Sequence, residues 1–216
     1  MTRLHSYTLA LVAAVTTTGC ATSFLPKAIE PPAVFTLAGI TPASSTPIKA
    51  PMALSQSIAN KAPILIVSPP RASGGLNSTH ILYVPRPSEL AYFSQSQWVD
   101  SPSQMLMPLI AQAIQTTGAF KAVLSTPSGA LSQYRMDTEI VKLEQNFIAK
   151  PSEVQFVLRA VIINTATRNV IAQKDFTASV VATSDDAYGG VVAAQKAVQV
   201  VLEDLATFCA AAVKPL

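Results

Sequence analysis

The sequence predicts an α+β fold, a single domain in which a mixed or antiparallel β-sheet packs against two main α-helices. Three observations predict it. Two segments, 101–117 and 187–211, carry apolar residues at helical spacing, and most of the other apolar runs are short, β-prone and bounded by Pro, Gly, Asn or Ser. Their order along the chain is several strands, a helix, four more strands and a helix, which suits one layer of sheet against one of helices. Half of the 216 residues are hydrophobic and only 12% are charged, enough apolar material for a sizeable core with some left for the surface.

The chain opens with Arg3 and His5, continues through the apolar run Tyr7 to Val15, and reaches Thr16, Thr17, Thr18, Gly19 and Cys20. This is the layout of a secretory signal peptide, residues 1–19. Its apolar core falls far short of the roughly 20 residues a spanning helix needs. Thr17-Thr18-Gly19-Cys20 resembles a bacterial lipobox, with Thr17 where that pattern prefers Leu. The resemblance implies cleavage between Gly19 and Cys20 and acyl chains on the Cys20 thiol. Ala21, rather than Asp, follows Cys20, and by resemblance to Gram-negative lipoproteins this implies export to the outer membrane, on its periplasmic face. Each buried methylene contributes about 0.8 kcal/mol and a single myristoyl chain holds only marginally, so the two or three chains of a lipoprotein give a durable anchor.

Removing residues 1–19 takes away Arg3 and leaves a net charge of +2, which does not suggest a nucleic-acid binder. Residues 20–62 are rich in Pro, Ala, Ser and Thr; Pro26, Pro31, Pro32, Pro42, Pro47 and Pro51 forbid a long helix, so the stretch reads as a lipidated start and a tether. Val34-Phe35-Thr36-Leu37 interrupts it as an expected edge strand, with Thr41 to Lys61 loosely ordered.

The folded domain is expected over 63–216. Ile64 to Val67, between Pro63 and Pro69-Pro70, reads as a strand covered on both faces, and Ser73-Gly74-Gly75 as a turn. Ile81 to Val84 and Leu90 to Phe93 read as two short strands joined by Pro85-Arg86-Pro87. Ser101 as N-cap, Pro102 at the first helical position and Gln104 three residues after the cap open a helix to about Thr117. Leu106, Leu109, Ile110, Ala113 and Ile114 form its core stripe, with Pro108 on the solvent side. Gly118 ends it, Phe120 to Leu124 read as a strand, and Pro127-Ser128-Gly129 as a turn.

A long strand follows. Met136, Thr138 and Ile140 share one parity and Leu143 and Phe147 the other, which predicts a bulge near Val141. Val154 to Ile163 and Val170 to Val181, joined by Asn164 to Asn169, read as a hairpin forming the central ribbon of the sheet. A last helix follows Asp185-Asp186, acids placed as the helix dipole favours. Tyr188, Val191, Val198, Leu202, Leu205, Phe208 and Cys209 are expected to face inward.

No catalytic set is legible, and no cofactor or metal is expected. His80 is the one histidine of the mature chain, too little for a nucleophile–base–orienter triad or a metal site. Asp137 and Glu139 share a strand face, as an acid/base pair would, but read more simply as solvent-facing charges. Gly74-Gly75 lacks the lysine or spacing of a phosphate loop. With Cys20 consumed by lipid, Cys209 reads as a buried unpaired thiol. Tyr83, Tyr92, Phe93 and Trp98 could line an interface or pack in the core.

The ordered landmarks, namely the lipobox, Phe35-Thr36-Leu37, Ile81-Leu82-Tyr83, Leu90 to Phe93, Trp98, the Pro102 helix, Tyr134 to Ile140 with Leu143-Glu144 and Phe147, and the hairpin from Phe156 to Phe176, resemble the ABC-type transport auxiliary lipoprotein family, which includes the lipoprotein of the paraquat-inducible protein system. The polar Val99-Asp100-Ser101 departs from the usual pattern. The resemblance implies a non-enzymatic lipoprotein working with a mammalian-cell-entry-type substrate-binding protein, an ABC permease and an ATPase. Such a system moves lipids or other hydrophobic molecules, here with a ring of identical copies around the lipid path. A scaffold or activator lipoprotein of cell-wall synthesis is the alternative that the same signal, tether and domain would serve.

Overall fold

The computed structural model describes residues 30–38 and 62–213. The signal peptide, the Gly19–Cys20 junction and the stretch Thr41 to Lys61 lie outside the described residues. Chain contacts separate residues 1–31 from 32–216, and of the first group only Glu30 and Pro31 are described, both exposed.

The organising element is the longest strand. Nine strands are described: β1 Ala33–Phe35, β2 Ile64–Val67, β3 Arg71–Ala72, β4 His80–Val84, β5 Ala91–Trp98, β6 Ala122–Ser125, β7 Tyr134–Asn146, β8 Glu153–Asn164 and β9 Val170–Val181. One edge of β7 pairs antiparallel with β8 along its whole length, from Tyr134 opposite Asn164 to Asn146 opposite Glu153. Its other edge takes three short parallel partners in succession: β2 at Tyr134 to Met136, β3 at Glu139 and Ile140, and β4 at Gln145 and Asn146. Pro69 and Pro70 account for the first interruption, since they bring no N–H to a ladder. Beyond these, β6 pairs parallel with β2, β5 antiparallel with β4, and β1 parallel with β5. The β8–β9 hairpin is therefore not the central ribbon: β9 pairs only with β8, and β7 holds the middle of the sheet.

Strict alternation along β8 explains how one face becomes the core. Val154, Phe156, Leu158, Ala160 and Ile162 are buried, while Gln155, Val157, Arg159 and Val161 lie on the other face. In β7, Met136, Thr138 and Ile140 are buried, then Leu143 and Gln145, and the pairing register shifts between Ile140 and Lys142 with Val141 exposed. One extra residue there restores the inward parity, as expected of a bulge.

Two helices cover this face, α1 Pro102–Gln115 and α2 Ala187–Ala212. α1 buries Leu106, Ile110 and Ile114 and exposes Pro108. Ser101 takes the extended cap conformation, but its hydroxyl lies 3.2 Å from Ser103 Oγ and caps no backbone N–H. No capping box forms: the Ser101 carbonyl accepts from the N–H groups of Gln104 and Met105, and the Gln104 side chain is exposed. α2 buries Val191, Val198, Val201, Leu202, Leu205 and Cys209, with Ala193, Ala194 and Ala197 letting the backbone approach the sheet. Tyr188 corrects the inward stripe: it is 63% exposed, its ring 6.4 Å from that of Phe35.

Two further differences concern strand limits. β5 continues past Phe93 through Ser94, Gln95, Ser96 and Gln97 to the buried Trp98, and β6 starts at Ala122 with Phe120 buried ahead of it. At the other margin of the sheet, the Phe35 carbonyl accepts from Val99 N–H at 2.7 Å, Gln195 Nε2 donates to the Thr36 carbonyl at 3.0 Å, and Leu37 is fully buried.

Candidate functional site

The chemistry-bearing residues separate into three groups. The face of the sheet opposite the helices carries a ladder of charges. Arg159 donates to both carboxylate oxygens of Asp175, at 2.8 and 2.9 Å, and pairs with Glu139 at 3.6 Å. Asp137 accepts from Ser68 Oγ at 2.7 Å and from Arg135 at 3.0 Å. Asp137 and Glu139 do share a face, as strand parity requires, but each is committed to its own cation and serine. The hydrogen bonds with Arg159 hold Asp175 below the usual carboxylate range, and the Ser179 hydroxyl followed by Gln155 does the same for Glu153.

A second group is buried where β7 ends and α2 begins. Gln145, 2% exposed, donates through Nε2 to Ser152 Oγ at 2.9 Å. Ser152 N–H donates to Asp185 Oδ1 at 2.8 Å, and Ala182 N–H to the Ser152 carbonyl at 2.8 Å. Asp186 is the N-cap of α2, accepting from Gly189 N–H at 2.7 Å and from Ser184 Oγ at 2.8 Å. Gln145 Oε1 has no hydrogen-bond partner among the described residues and faces Gly190, where a Cβ would overlap it. The small space beside it, lined by Ile81, Leu82, Trp98, Leu143 and Ala194, measures about 10 Å³.

Hydrogen bonds from Ser152, through side chain and then backbone, hold the Asp185 carboxyl low, with Lys150 adding attraction. The Gly189 N–H and then the Ser184 hydroxyl do so for Asp186. A carboxyl depressed in the folded state contributes stability that is present above its unfolded pKa, about 4, and lost as pH falls through the lower folded value. The gap in urea midpoint between wild type and Asp186→Ala, open at pH 7, should therefore narrow as pH drops below about 4; a gap of constant width would contradict an ionised cap.

The third group is aromatic. Tyr83, Phe93 and Phe147 form a cluster with ring centroids 4.6, 5.5 and 6.3 Å apart. Tyr92 stands apart from it, exposed and stacked on His80 at 4.2 Å. Trp98 is in the core. The suspected aromatic set is thus divided, with Phe147 a member that sequence reasoning did not include. Gln145, Ser152 and Gly190 were also missed; two consecutive glycines in the first turn of a helix, where glycine is unfavourable, are the available signal of a close approach.

Gly74-Gly75 forms a turn, Gly75 with φ of +70°. Cys209 is fully buried with Sγ 3.6 Å from Met136 Sδ, and burial pushes its thiol up to about 12, which leaves it inert at neutral pH. Among the described residues no group of three or more His, Cys, Asp or Glu side chains is placed to hold a metal ion, and no helix is long and apolar enough to cross a membrane. Cys20 and Gly19 lie outside the described residues.

Comparison with known proteins adds the family. The solved structure of a protein of Xanthomonas campestris from the DUF330 family has a TM-score of 0.65 at 21% identity, covering 70% of this chain and 86% of that one. An uncharacterised protein of solved structure matches with a TM-score of 0.61 at 10% identity, covering 83% of this chain and 99% of that one. At such identities these likenesses establish the fold. No curated protein matches the chain in sequence. The family model described as the ABC-type transport auxiliary lipoprotein component matches residues 47–206, including β2 to β9, α1 and most of α2, and the chain belongs to that family.

Proposed function

We propose that this chain is an outer-membrane lipoprotein anchored through acyl chains on Cys20 and facing the periplasm. There it serves, without catalysis, as auxiliary component to a mammalian-cell-entry-type substrate-binding protein with its ABC permease and ATPase. The system moves lipids or other hydrophobic molecules across the periplasm. In this reading residues 20–62 are the lipidated start and tether, and 63–216 the working domain. The observation that carries it is the family match over residues 47–206, whose own description names an auxiliary lipoprotein of ABC-type transport. The order of Arg3, the apolar run and Thr17-Thr18-Gly19-Cys20 supports the anchor.

The interior supports a part played by surfaces. Among the described residues, the small space beside Gln145 has room for about one water, whereas pockets for small molecules run to several hundred Å³. The larger hollow, about 290 Å³, is open and bordered by Arg135, Asn164, Thr165 and Arg168 beside Ile163, a poor host for an acyl chain. Cargo would therefore pass beside the domain, as along a ring of identical copies.

Capture tests this. The lipoprotein, crosslinked in cells and extracted in mild detergent, should bring down a mammalian-cell-entry-type protein, identified by mass spectrometry. Capture of a peptidoglycan synthase in its place, or of no transport component, overturns the reading.

A further inference from the structure

The way the anchored chain enters the fold bears on how the domain sits at the membrane. β1 runs parallel to β5, whose first residue, Ala91, is opposite Tyr83, itself opposite Gln145 near the end of β7. Ala33, opposite Ser96, therefore points toward that end of the sheet, and the chain preceding it heads that way. Ala33 stands thirteen residues on from Cys20, a reach of about 20 Å as a flexible coil and about 40 Å as an extended proline-rich chain. Ala33 is opposite Ser96, beside Gln97 and its partner His80, three residues before Tyr83, so roughly 10 Å of strand separates its level from Asn146 and roughly 30 Å from Tyr134. The near end of the sheet thus lies within both reaches of the anchor, and the far end outside the reach of a flexible coil.

The near end also has its own surface chemistry. It is built from the β4–β5, β7–β8 and β9–α2 connections, tied together by Phe147 N–H to the Val84 carbonyl at 2.9 Å, Ala182 N–H to the Ser152 carbonyl and Ser152 N–H to Asp185. Leu90, Tyr92, Ile148, Val181 and Tyr188 project from it, each more than half exposed. Aliphatic tips mixed with tyrosines suit the headgroup boundary of a bilayer, where an apolar ring and a hydroxyl are both satisfied. The cations at this end, Arg86 and Lys150, are paired with Glu89 and Asp185, so apolar contact rather than net charge must supply the attraction.

We infer that the end of the sheet bearing Leu90, Tyr92, Ile148 and Tyr188 rests on the bilayer surface that holds the Cys20 lipid. This rests on the anchoring proposed above. It leaves the opposite end, with Leu131 at 91% exposure and the loop Asn164 to Asn169, turned toward the periplasm and free for protein partners.

Fluorescence quenching tests the orientation. The full lipoprotein is purified from membranes, the Cys20 lipid is checked by intact mass, and the protein is reconstituted into phosphatidylethanolamine–phosphatidylglycerol vesicles with brominated acyl chains. Ile148→Trp and Leu90→Trp are compared with Leu131→Trp, the buried Trp98 giving a common background. The indoles of Ile148→Trp and Leu90→Trp should each lose on the order of half their emission, at the depth of an interfacial contact, and that of Leu131→Trp almost none. Equal quenching at both ends, quenching at Leu131→Trp alone, or none in the lipidated protein overturns the orientation and leaves the anchor standing. A protein whose mass lacks the lipid overturns both.

Discussion

Gly189→Ala should destabilise the domain by about 2 kcal/mol, against the usual expectation that alanine strengthens a helix. Intrinsic propensity favours alanine by about 1 kcal/mol. Here a Cβ would overlap the backbone oxygen and nitrogen of Ser184, atoms that cannot swing away as a side-chain tip can. Relieving the overlap moves the turn in which Ser184 binds Asp186 and Asp186 caps Gly189 N–H. Overpacking costs roughly 1–3 kcal/mol and loss of a cap about 1 kcal/mol, which together outweigh the gain. Gly190→Ala makes the informative contrast, because its Cβ meets the Gln145 amide. That amide can rotate only by giving up its bond to Ser152 Oγ. In a Gln145→Ala background the obstacle disappears, so Gly190→Ala should turn neutral or stabilising while Gly189→Ala stays costly. Urea unfolding of wild type, Gln145→Ala and each glycine variant alone and in that background reads this directly, and a Gly189→Ala protein as stable as wild type would show that the capping turn moves freely.

These glycines mark the boundary between what was legible in the sequence and what was not. Elements whose signal is local and periodic could be read: the alternation from Val154 to Ile162, the change of parity between Ile140 and Leu143, and the stripe from Leu106 to Ile114 after Pro102. The mixed sheet on two helices follows from their order. What depends on partners distant in sequence could not be read. That β7 takes β2, β3 and β4 along one edge and β8 along the other is decided by tertiary packing, and it moved the hairpin from the centre of the sheet to its margin. β5 was cut short because Ser94 to Gln97 carry no apolar signal, although their backbone completes a ladder that ends in Trp98. Tyr188 has the helical phase of Val191 and Val198, but the first turn of α2 brings it beside the exposed sheet margin at Phe35. Helical phase says which side faces the sheet, not where the sheet stops. The Gln145–Ser152–Asp185 group was hidden for the same reason, since its members are brought together by a turn and a helix start far apart in the chain.

On the anchoring proposed here, Cys20→Ala should empty the outer-membrane fraction of this protein while leaving the domain's stability unchanged. The two effects separate because they live on different parts of the chain: position 20 precedes every described strand, and the described core runs from Leu37 to Val213. Without the thiol no thioether lipid can form, and at about 0.8 kcal/mol per buried methylene the loss of two or three chains removes far more attraction than Leu90, Tyr92, Ile148 and Tyr188 could replace. Cleavage that waits on lipidation would fail too, so the variant should keep residues 1–19. The apolar core of that leader, Tyr7 to Val15, is much shorter than the roughly 20 residues of a spanning helix, and would hold the chain weakly at the membrane it was exported across. Intact mass should accordingly show a gain of the leader and a loss of the acyl groups, with the urea midpoint unaltered. If Cys20→Ala remained in the outer-membrane fraction and resisted an alkaline wash, attachment would have to come from the domain's own surface, and the apolar end of the sheet would become the anchor instead of the part that the anchor positions.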